Sequence, residues 1–358
     1  MKKILVICPF PENEVPGQRL KYEQYFDSWR EAGFEITVKP FVSEKFMKII
    51  YKPGNFHLKF IYTIIGYLKR FILFFSLNKY DVVYSFLWVT PFGPPIFEYF
   101  VCKFSRKLIY DIDDLVFLKH SSSANKFISF LKGKSKPILL MKKANHVITC
   151  TPFLDEFVKQ YNKKTTDISS TVDTENRYIP INTYKNNHQI IIGWSGSHST
   201  SKYLYLLKDV LVKLSKIVDY KLIVMGDPNF YIEGVNIEAI KWEEKIEIQT
   251  LQKFDIGLYP LPFEDWVLGK SGLKAIQYMA LGIPTLATEV GTINRIIQNS
   301  KNGFLIPENN SEIWLGQLVN LINNFELRKE IGLSGRNTIV DSFSLKANES
   351  TYLNILND

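Results

Sequence analysis

A chain of 358 residues is too long for one ordinary core and fits two domains of ordinary size. Its 46% hydrophobic and 22% charged residues exclude a disordered chain, and its net charge of +8 points to an anionic partner: nucleic acid, a membrane surface or a phosphorylated small molecule. Cys8, Cys102 and Cys150 lie far apart with no CxxC or Cys/His spacing, which argues against a zinc site or disulfide framework and fits buried thiols in a reducing cytoplasm.

The N-terminal "MKKILVICPFP" has too short an apolar run for a signal peptide, stops at Pro9 and lacks a small-residue cleavage site, so it reads as a first strand. Residues 60–77, "FIYTIIGYLKRFILFFSL", have spanning length but carry Lys69 and Arg70 at their centre. Two central basic residues cost about 5 to 7 kcal/mol of insertion free energy, comparable with what the flanking apolar residues contribute, so spanning is not expected. Residues 45–79 interleave lysines with aromatic and aliphatic side chains and contain no acid. That segment is either a peripheral contact with an anionic membrane surface or a core helix with a basic exposed side.

Further along, "KILVIC", "FEITVKPF", "YDVVYSF", "KLIYDID" and "HVITC" are short β-rich runs, each followed by a segment of helical spacing. The alternation restarts with "QIIIGWSG", "YKLIVMG", "FDIGLYP", "IPTLAT" and "NGFLIP". Two successive βα sets predict an α/β protein of two Rossmann-like, doubly wound parallel-sheet domains. The boundary falls in "YIPINTYKNNHQ", giving a first domain of residues 1–182 and a second of 183–342. In such domains ligands bind beyond the carboxyl ends of the strands, at a cleft if the two sheets face one another.

The stretch "GKSGLKAIQYMA", residues 269–280, reads as a helix start with positive charge at the wrong end for the helix dipole. On a helical wheel Lys270, Lys274 and Gln277 share one stripe, with Leu273, Ile276 and Met279 on the packing side. Ser271, Gly272 and Leu273 would offer backbone N–H groups to an anion, and a charge-assisted bond of about 1.5 to 3 kcal/mol from either lysine outweighs the ~0.3 to 1 kcal/mol dipole penalty. The other reading is an ordinary solvated face.

The surroundings resemble retaining glycosyltransferases of family 4, which have the GT-B fold. The resemblance rests on "FDIGLYPLPFEDW", "GLKAIQYMALGIPTLATEVGTINRII" and "NGFLIP", supported by "GQRLKYEQYFDSWREAGFEITVKPF", "YDIDDLVF", "TPFLDEFVKQY" and "VDTENRYIP". "FSLKANESTYLNIL" is similar to the family's final helix, which crosses back to the first domain, so residues 343–358 are assigned to that domain. The family's Glu-x7-Glu pair, which meets donor sugar and ribose, is replaced here by Lys270 and Gln277. Gln277 can still bond a ribose hydroxyl, whereas Lys270 cannot accept a bond from a sugar, which shifts sugar recognition to Glu264 or Asp265.

Other loops join the expected site. In "GWSGSHSTSKY", Gly196, Ser197 and His198 offer backbone or side-chain donors to phosphate and Lys202 adds charge, although a serine-rich helix cap explains the same residues. Gly291 and Thr292 of "TEVGTIN" present N–H groups to the same diphosphate in the family, or simply make a turn and cap. Asp113 and Asp114 stand where family members often carry an active-site His, and face acceptor or donor sugar or else cap the next helix. Arg19 reaches a leaving phosphate or pairs with acids nearby. Trp242 borders the base or belongs to the core. Asp111 and Asp113 mimic a metal-binding DxD, but no second ligand cluster accompanies them and no metal is expected.

The resemblance implies a metal-independent hexosyl transfer, with retention, from a nucleotide-diphosphate sugar to a hydroxyl of a glycan or lipid-linked acceptor in bacterial surface polysaccharide or lipopolysaccharide synthesis. UDP is favoured over GDP, no cofactor is needed, and the location is the cytoplasm or the inner face of the membrane. Asp113, Asp114, Lys270 and Lys274 are the catalytic candidates. Two rivals share these features: a nucleotide-sugar 2-epimerase, and a noncatalytic nucleotide-binding subunit at the membrane. A nucleic-acid partner is not expected, because the basic residues form no such motif.

Overall fold

The computed structural model describes residues 1–115, 134–181 and 189–358; His120, His188 and the expected boundary between 182 and 183 lie outside them. The chain forms two compact units, one of Met1–Ser170 with Glu349–Asp358 and the other of Thr171–Asn348. Residues 171–181 thus join the second unit rather than the first. Tyr178 is fully buried in the core of that unit, and Val172 bridges to Ser344.

The first unit holds β1 (Lys2–Cys8), β2 (Phe34–Pro40), β3 (Val82–Phe86), β4 (Leu108–Asp111), β5 (His146–Thr149) and β6 (Thr165–Asp167) in one sheet, ordered β2-β1-β3-β4-β5-β6 with every neighbouring pair parallel. A parallel sheet covered on both faces needs unbroken apolar strands, and Ile4–Cys8 and Val82–Phe86 are buried throughout. Pro40, which cannot donate to a ladder, sits on the edge strand β2. The helix Pro152–Lys159 starts where Thr151 Oγ1 accepts the Leu154 N–H and proline occupies the first turn.

The second unit holds β7 (Ile190–Ser195), β8 (Tyr220–Met225), β9 (Ile237–Ile240), β10 (Ile256–Tyr259), β11 (Thr285–Thr288) and β12 (Phe304–Ile306), ordered β12-β11-β10-β7-β8-β9 and again all parallel. The chain runs outward from β7 through β8 to β9, then returns to β10 on the other side of β7. The carboxyl ends of β7 and β10 therefore flank a topological switch point, where open α/β sheets bind ligands. All ten expected strands are present; the edge strands β6 and β9 were not anticipated.

The last helix runs Leu345–Asn357, and its residues from Glu349 belong to the first unit. There the buried Tyr352 stacks at 4.5 Å from Tyr25, and Lys107 Nζ donates to the Ile355 carbonyl at 2.6 Å. Helix Phe56–Phe74 departs from the expectation of a basic exposed side: its outer face is apolar and Arg70 is buried. Among the described residues no helix is long and apolar enough to cross a membrane.

Candidate functional site

The second unit collects most of the candidate residues around its switch point. After β10 the chain makes a tight turn at Asp265–Gly269, passes Lys270 in extended conformation and enters the helix Leu273–Ala280 through Gly272. Lys270 is thus not on the helix, and the predicted stripe through Lys270, Lys274 and Gln277 is broken. Gly272 has φ +78°, and a Cβ there would lie 2.4 Å from Ile296 Cδ1, so only glycine makes this entry without strain. As the N-cap it brings no side chain to the helix's first N–H groups.

Lys274 follows on the first turn and projects over the sheet ends. Its ammonium lies 5.3 Å from the ring of Trp194, at the end of β7, and 5.3 Å from that of Tyr259, at the end of β10. It therefore stands astride the switch point. Among the described residues no carboxylate pairs with it. Burial, and then the charge of Lys270, lower its pKa to about 8. Two rings satisfy part of its charge through their π faces, at about 0.5 to 2 kcal/mol each, but supply no hydrogen-bond acceptor.

Lys270 holds its ammonium 5.7 Å from Trp266, and Trp266 lies 5.4 Å from Tyr203, whose other neighbour is the exposed Lys202. The turn at 265–269 and the loop after β7 are joined through these rings, and two lysines, Lys202 and Lys270, border them. Gly291, with φ +61°, lies against the backbone of Val267 and Leu268, so its loop meets the same turn. Thr292 is buried beside it, and its hydroxyl has no hydrogen-bond partner among the described residues. Asp265 and Glu264 are exposed at the start of the turn, where the Glu264 carboxylate accepts the Trp266 indole N–H.

Two expectations for this unit need correction, at Gln277 and in the serine loop, while Trp242 takes the core alternative. Gln277 does not face a ligand stripe: it is 4% exposed, and its amide donates to Tyr178 Oη at 2.7 Å and to Glu247 Oε1 at 3.4 Å. Gln277 shares a helix face with Lys274, but its amide is held by Tyr178 and Glu247, so it is spent inside the protein. The backbone donors expected of the serine loop are engaged within the protein: Gly196 N–H bonds the Met225 carbonyl at 2.9 Å and Ser197 N–H bonds Thr200 Oγ1 at 3.1 Å. This is the cap-like turn that serine and threonine favour. Trp242 donates to Glu247 Oε1 at 3.1 Å and so belongs to the Gln277 cluster.

Two residues that the sequence gave no reason to select shape what remains. Asp227, just past β8, accepts from Ser201 Oγ at 2.6 Å and pairs with His198 Nδ1 at 3.0 Å, which points the other imidazole nitrogen outward from an exposed side chain. Ser201's hydroxyl, more than the His198 bond, holds the Asp227 carboxyl below its ordinary range. The second is Glu247, with its partners Gln277, Trp242 and Arg177, the last at 3.7 Å. An isolated Asp after "VMG" and a Glu inside a helix carry no spacing signal by which sequence could find them.

In the first unit Arg19 ends the short helix Pro16–Arg19 and is buried. Gln18 beside it ties down the preceding loop, donating to the Phe10 carbonyl at 3.0 Å and to Glu23 at 2.9 Å. Asp113 comes close to this helix: a Cβ on Gly17 would lie 3.4 Å from its carboxylate. Asp114 Oδ1 accepts the Leu115 N–H at 2.8 Å, and the helix it was expected to cap lies outside the described residues. Asp111 and Asp113 do not form an outward pair. Asp111 is fully buried against Tyr84 Oη and Lys21 Nζ, the latter at 3.6 Å, and desolvation lifts its pKa to about 6 against the pull of Lys21.

Comparison with known proteins agrees with this architecture. Residues 189–324 match the profile of the family described as Glycosyl transferases group 1. An uncharacterized glycosyltransferase of Methanocaldococcus jannaschii is 29% identical over 133 residues, 36% of this chain and 38% of that protein. The capsular polysaccharide biosynthesis glycosyltransferase CapM of Staphylococcus aureus is 25% identical over 171 residues, 44% of this chain and 43% of CapM. These matches span about two-fifths of the relatives' own length. Among solved structures, Anabaena HepE in complex with UDP and glucose superimposes with a TM-score of 0.71 at 15% identity, covering 100% of both chains. The fold is that of GT-B glycosyltransferases.

Proposed function

We propose that this protein is a retaining glycosyltransferase that moves a hexosyl group from a UDP-sugar to a hydroxyl of a glycan or lipid-linked acceptor of a bacterial surface polysaccharide, working at the inner face of the membrane. The observation that carries this reading is Lys274: a partly buried cation, with no carboxylate partner among the described residues, above the switch point of the second sheet and beside a glycine-capped helix start. A departing diphosphate is the anion that fits, since it develops charge during transfer and a preorganised donor there is worth about 10² to 10³ in rate. Lys270 adds a second cation. Together they supply the charge that a metal would otherwise bring, so transfer is expected to persist in EDTA. The name of CapM and the presence of UDP with HepE support the acceptor class and the base, respectively.

In this reading retention needs no strong enzymic base, because the leaving phosphate itself takes the acceptor's proton. Titration of the full chain with UDP-glucose and other UDP-sugars, wild type against Lys274→Ala, is the test. A Kd raised about ten- to a hundredfold in the variant, matching a charge-assisted bond, is expected. Equal affinity in the two proteins, or binding by neither, would sink the reading. Donor incubated alone and analysed for an isomerised sugar separates transfer from 2-epimerisation.

A further inference from the structure

A soluble helix normally buries its apolar stripe and exposes its charges. Helix Phe56–Phe74 does the reverse. Its inner face is Gly66, Arg70 and Leu73; Gly66 lets the ring of Phe41 approach, at 2.6 Å from where a Cβ would be. Arg70 is 1% exposed, and its guanidinium caps the sheet end by donating to the carbonyls of Lys39 at 2.8 Å, Cys8 at 2.9 Å and Val89 at 3.0 Å. Its outer face carries Phe60 (67% exposed), Leu68 (56%), Phe71 (53%) and Ile72 (67%). The inversion is locked: rotating the helix to hide these side chains would pull Arg70 from three acceptors.

The face does not end with this helix. Rings continue it from Phe71 through Phe74 to Phe100 and on to Tyr99 and Phe104 of the helix Ile96–Phe104, whose Ile96, Tyr99 and Phe104 are also exposed. An apolar surface of this extent marks an interaction site. The charged side chains exposed on these two helices are of one sign. Lys52, Lys69 and Lys103 are exposed at its margins, no acidic residue occurs between Lys45 and Lys79, and the one carboxylate of the second helix, Glu98, is buried 3.6 Å from Lys136.

We propose that this two-helix face docks into the headgroup region of an anionic lipid bilayer, with its aromatic and aliphatic side chains in the acyl boundary and its lysines among the headgroups. The inference narrows the membrane placement above to one surface and stands whether or not the protein transfers sugars. A second copy of the chain fits the same face less well, because it would oppose lysine to lysine with no carboxylate between them. A helix of 19 residues extends about 28 Å, so it can lie flat along a membrane, and none of the described helices can cross one. Tyr62, Ile65 and Lys69 of the same helix also wall a groove of about 610 Å³ with Glu12, Glu14 and Glu44, and this acidic groove marks where the lipid-facing surface ends.

Flotation of the full chain with vesicles tests this. We expect the protein to rise with phosphatidylglycerol/phosphatidylcholine vesicles, and binding to fall at least about tenfold on phosphatidylcholine alone or in high salt. Ile64→Glu/Phe71→Glu should lose binding by at least about tenfold with an unchanged melting temperature. Lys69→Glu/Lys103→Glu, which leaves the apolar face intact, gives a second measure should the first variant fail to fold. Absence of wild-type flotation with anionic vesicles, undiminished binding by both variants, or a solution dimer that Phe71→Glu dissociates would overturn the proposal.

Discussion

Lys21 and Lys274, one in each unit, are lysines set into the fold, the first fully buried and the second partly so, and they differ in what surrounds them. Lys21 is fully buried with Asp111 at 3.6 Å, the Thr149 carbonyl at 2.9 Å and the Ile168 carbonyl closer still. Every proton on its ammonium has somewhere to go inside the chain. Lys274 has two aromatic rings, a second lysine nearby and, among the described residues, no carboxylate. A cation whose partners are built in is structural, whereas one with no anion among the described residues is a place for an anion from outside.

The same substitution at both positions separates the two roles most strongly. Lys21→Met leaves Asp111 buried without its cation, and breaking a buried pair in this way costs about 3 to 5 kcal/mol. A correspondingly lower midpoint in urea unfolding is expected. At Lys274 two effects oppose one another: methionine removes the desolvation that depresses the lysine's pKa, and it forfeits two cation–π contacts. The net change should be under about 1 kcal/mol, with donor binding lost instead. Comparable destabilisation at both sites would erase the distinction.

A smaller effect is the pH dependence of donor binding. Lys274 titrates at about 8 in the folded protein and higher when unfolded, so between these values the unfolded chain holds more protons and stability rises with pH. Affinity for a diphosphate runs the opposite way, since only the protonated lysine attracts it. Between pH 7 and 9 the affinity for UDP-glucose should fall about tenfold. Arginine does not titrate in this range, so Lys274→Arg should flatten the profile even if it binds more weakly. A wild-type affinity constant across that interval would mean that Lys274 does not meet the phosphate.

How much of this was legible beforehand follows from what the sequence pattern encodes. The central strands were, because a doubly covered parallel sheet demands uninterrupted apolar runs such as "KILVIC" and "KLIVMG". Edge strands β6 and β9 escaped: "TTD" and "IEAI" are short, and no residue in either is fully buried. At the site, Lys274 was legible because its charge violates the dipole preference of a helix start. Gln277 was misread because a wheel gives a residue's face and not its neighbours, and Tyr178 and Glu247, which hold its amide, are distant in sequence. The Gln277–Glu247–Trp242 cluster joins parts of the chain far apart in sequence, and no local pattern announces it. Arg70 deceived for the same reason, since its three acceptors come from three different strand ends or loops.

His198 lies between the two lysines in character, and it sharpens the comparison furthest for the least effect. One ring nitrogen has its partner in the chain, Asp227 at 3.0 Å, and the other faces outward. Asp227 thereby fixes the orientation of the imidazole, as carboxylates do for histidines that bind ligands. His198 is exposed, so His198→Ala should barely move the melting temperature, whereas Asp227 is buried and also holds the Ser201 hydroxyl, so Asp227→Ala should cost about 1 to 3 kcal/mol. If the outward nitrogen donates to the nucleotide, Asp227→Ala should weaken UDP binding about threefold, His198→Ala by a similar factor, and the double variant no further, because the carboxylate acts only through the ring. Additive losses would show that Asp227 influences the ligand by another route, and an unchanged affinity in His198→Ala would assign the pair, like Lys21 and Asp111, to the architecture alone.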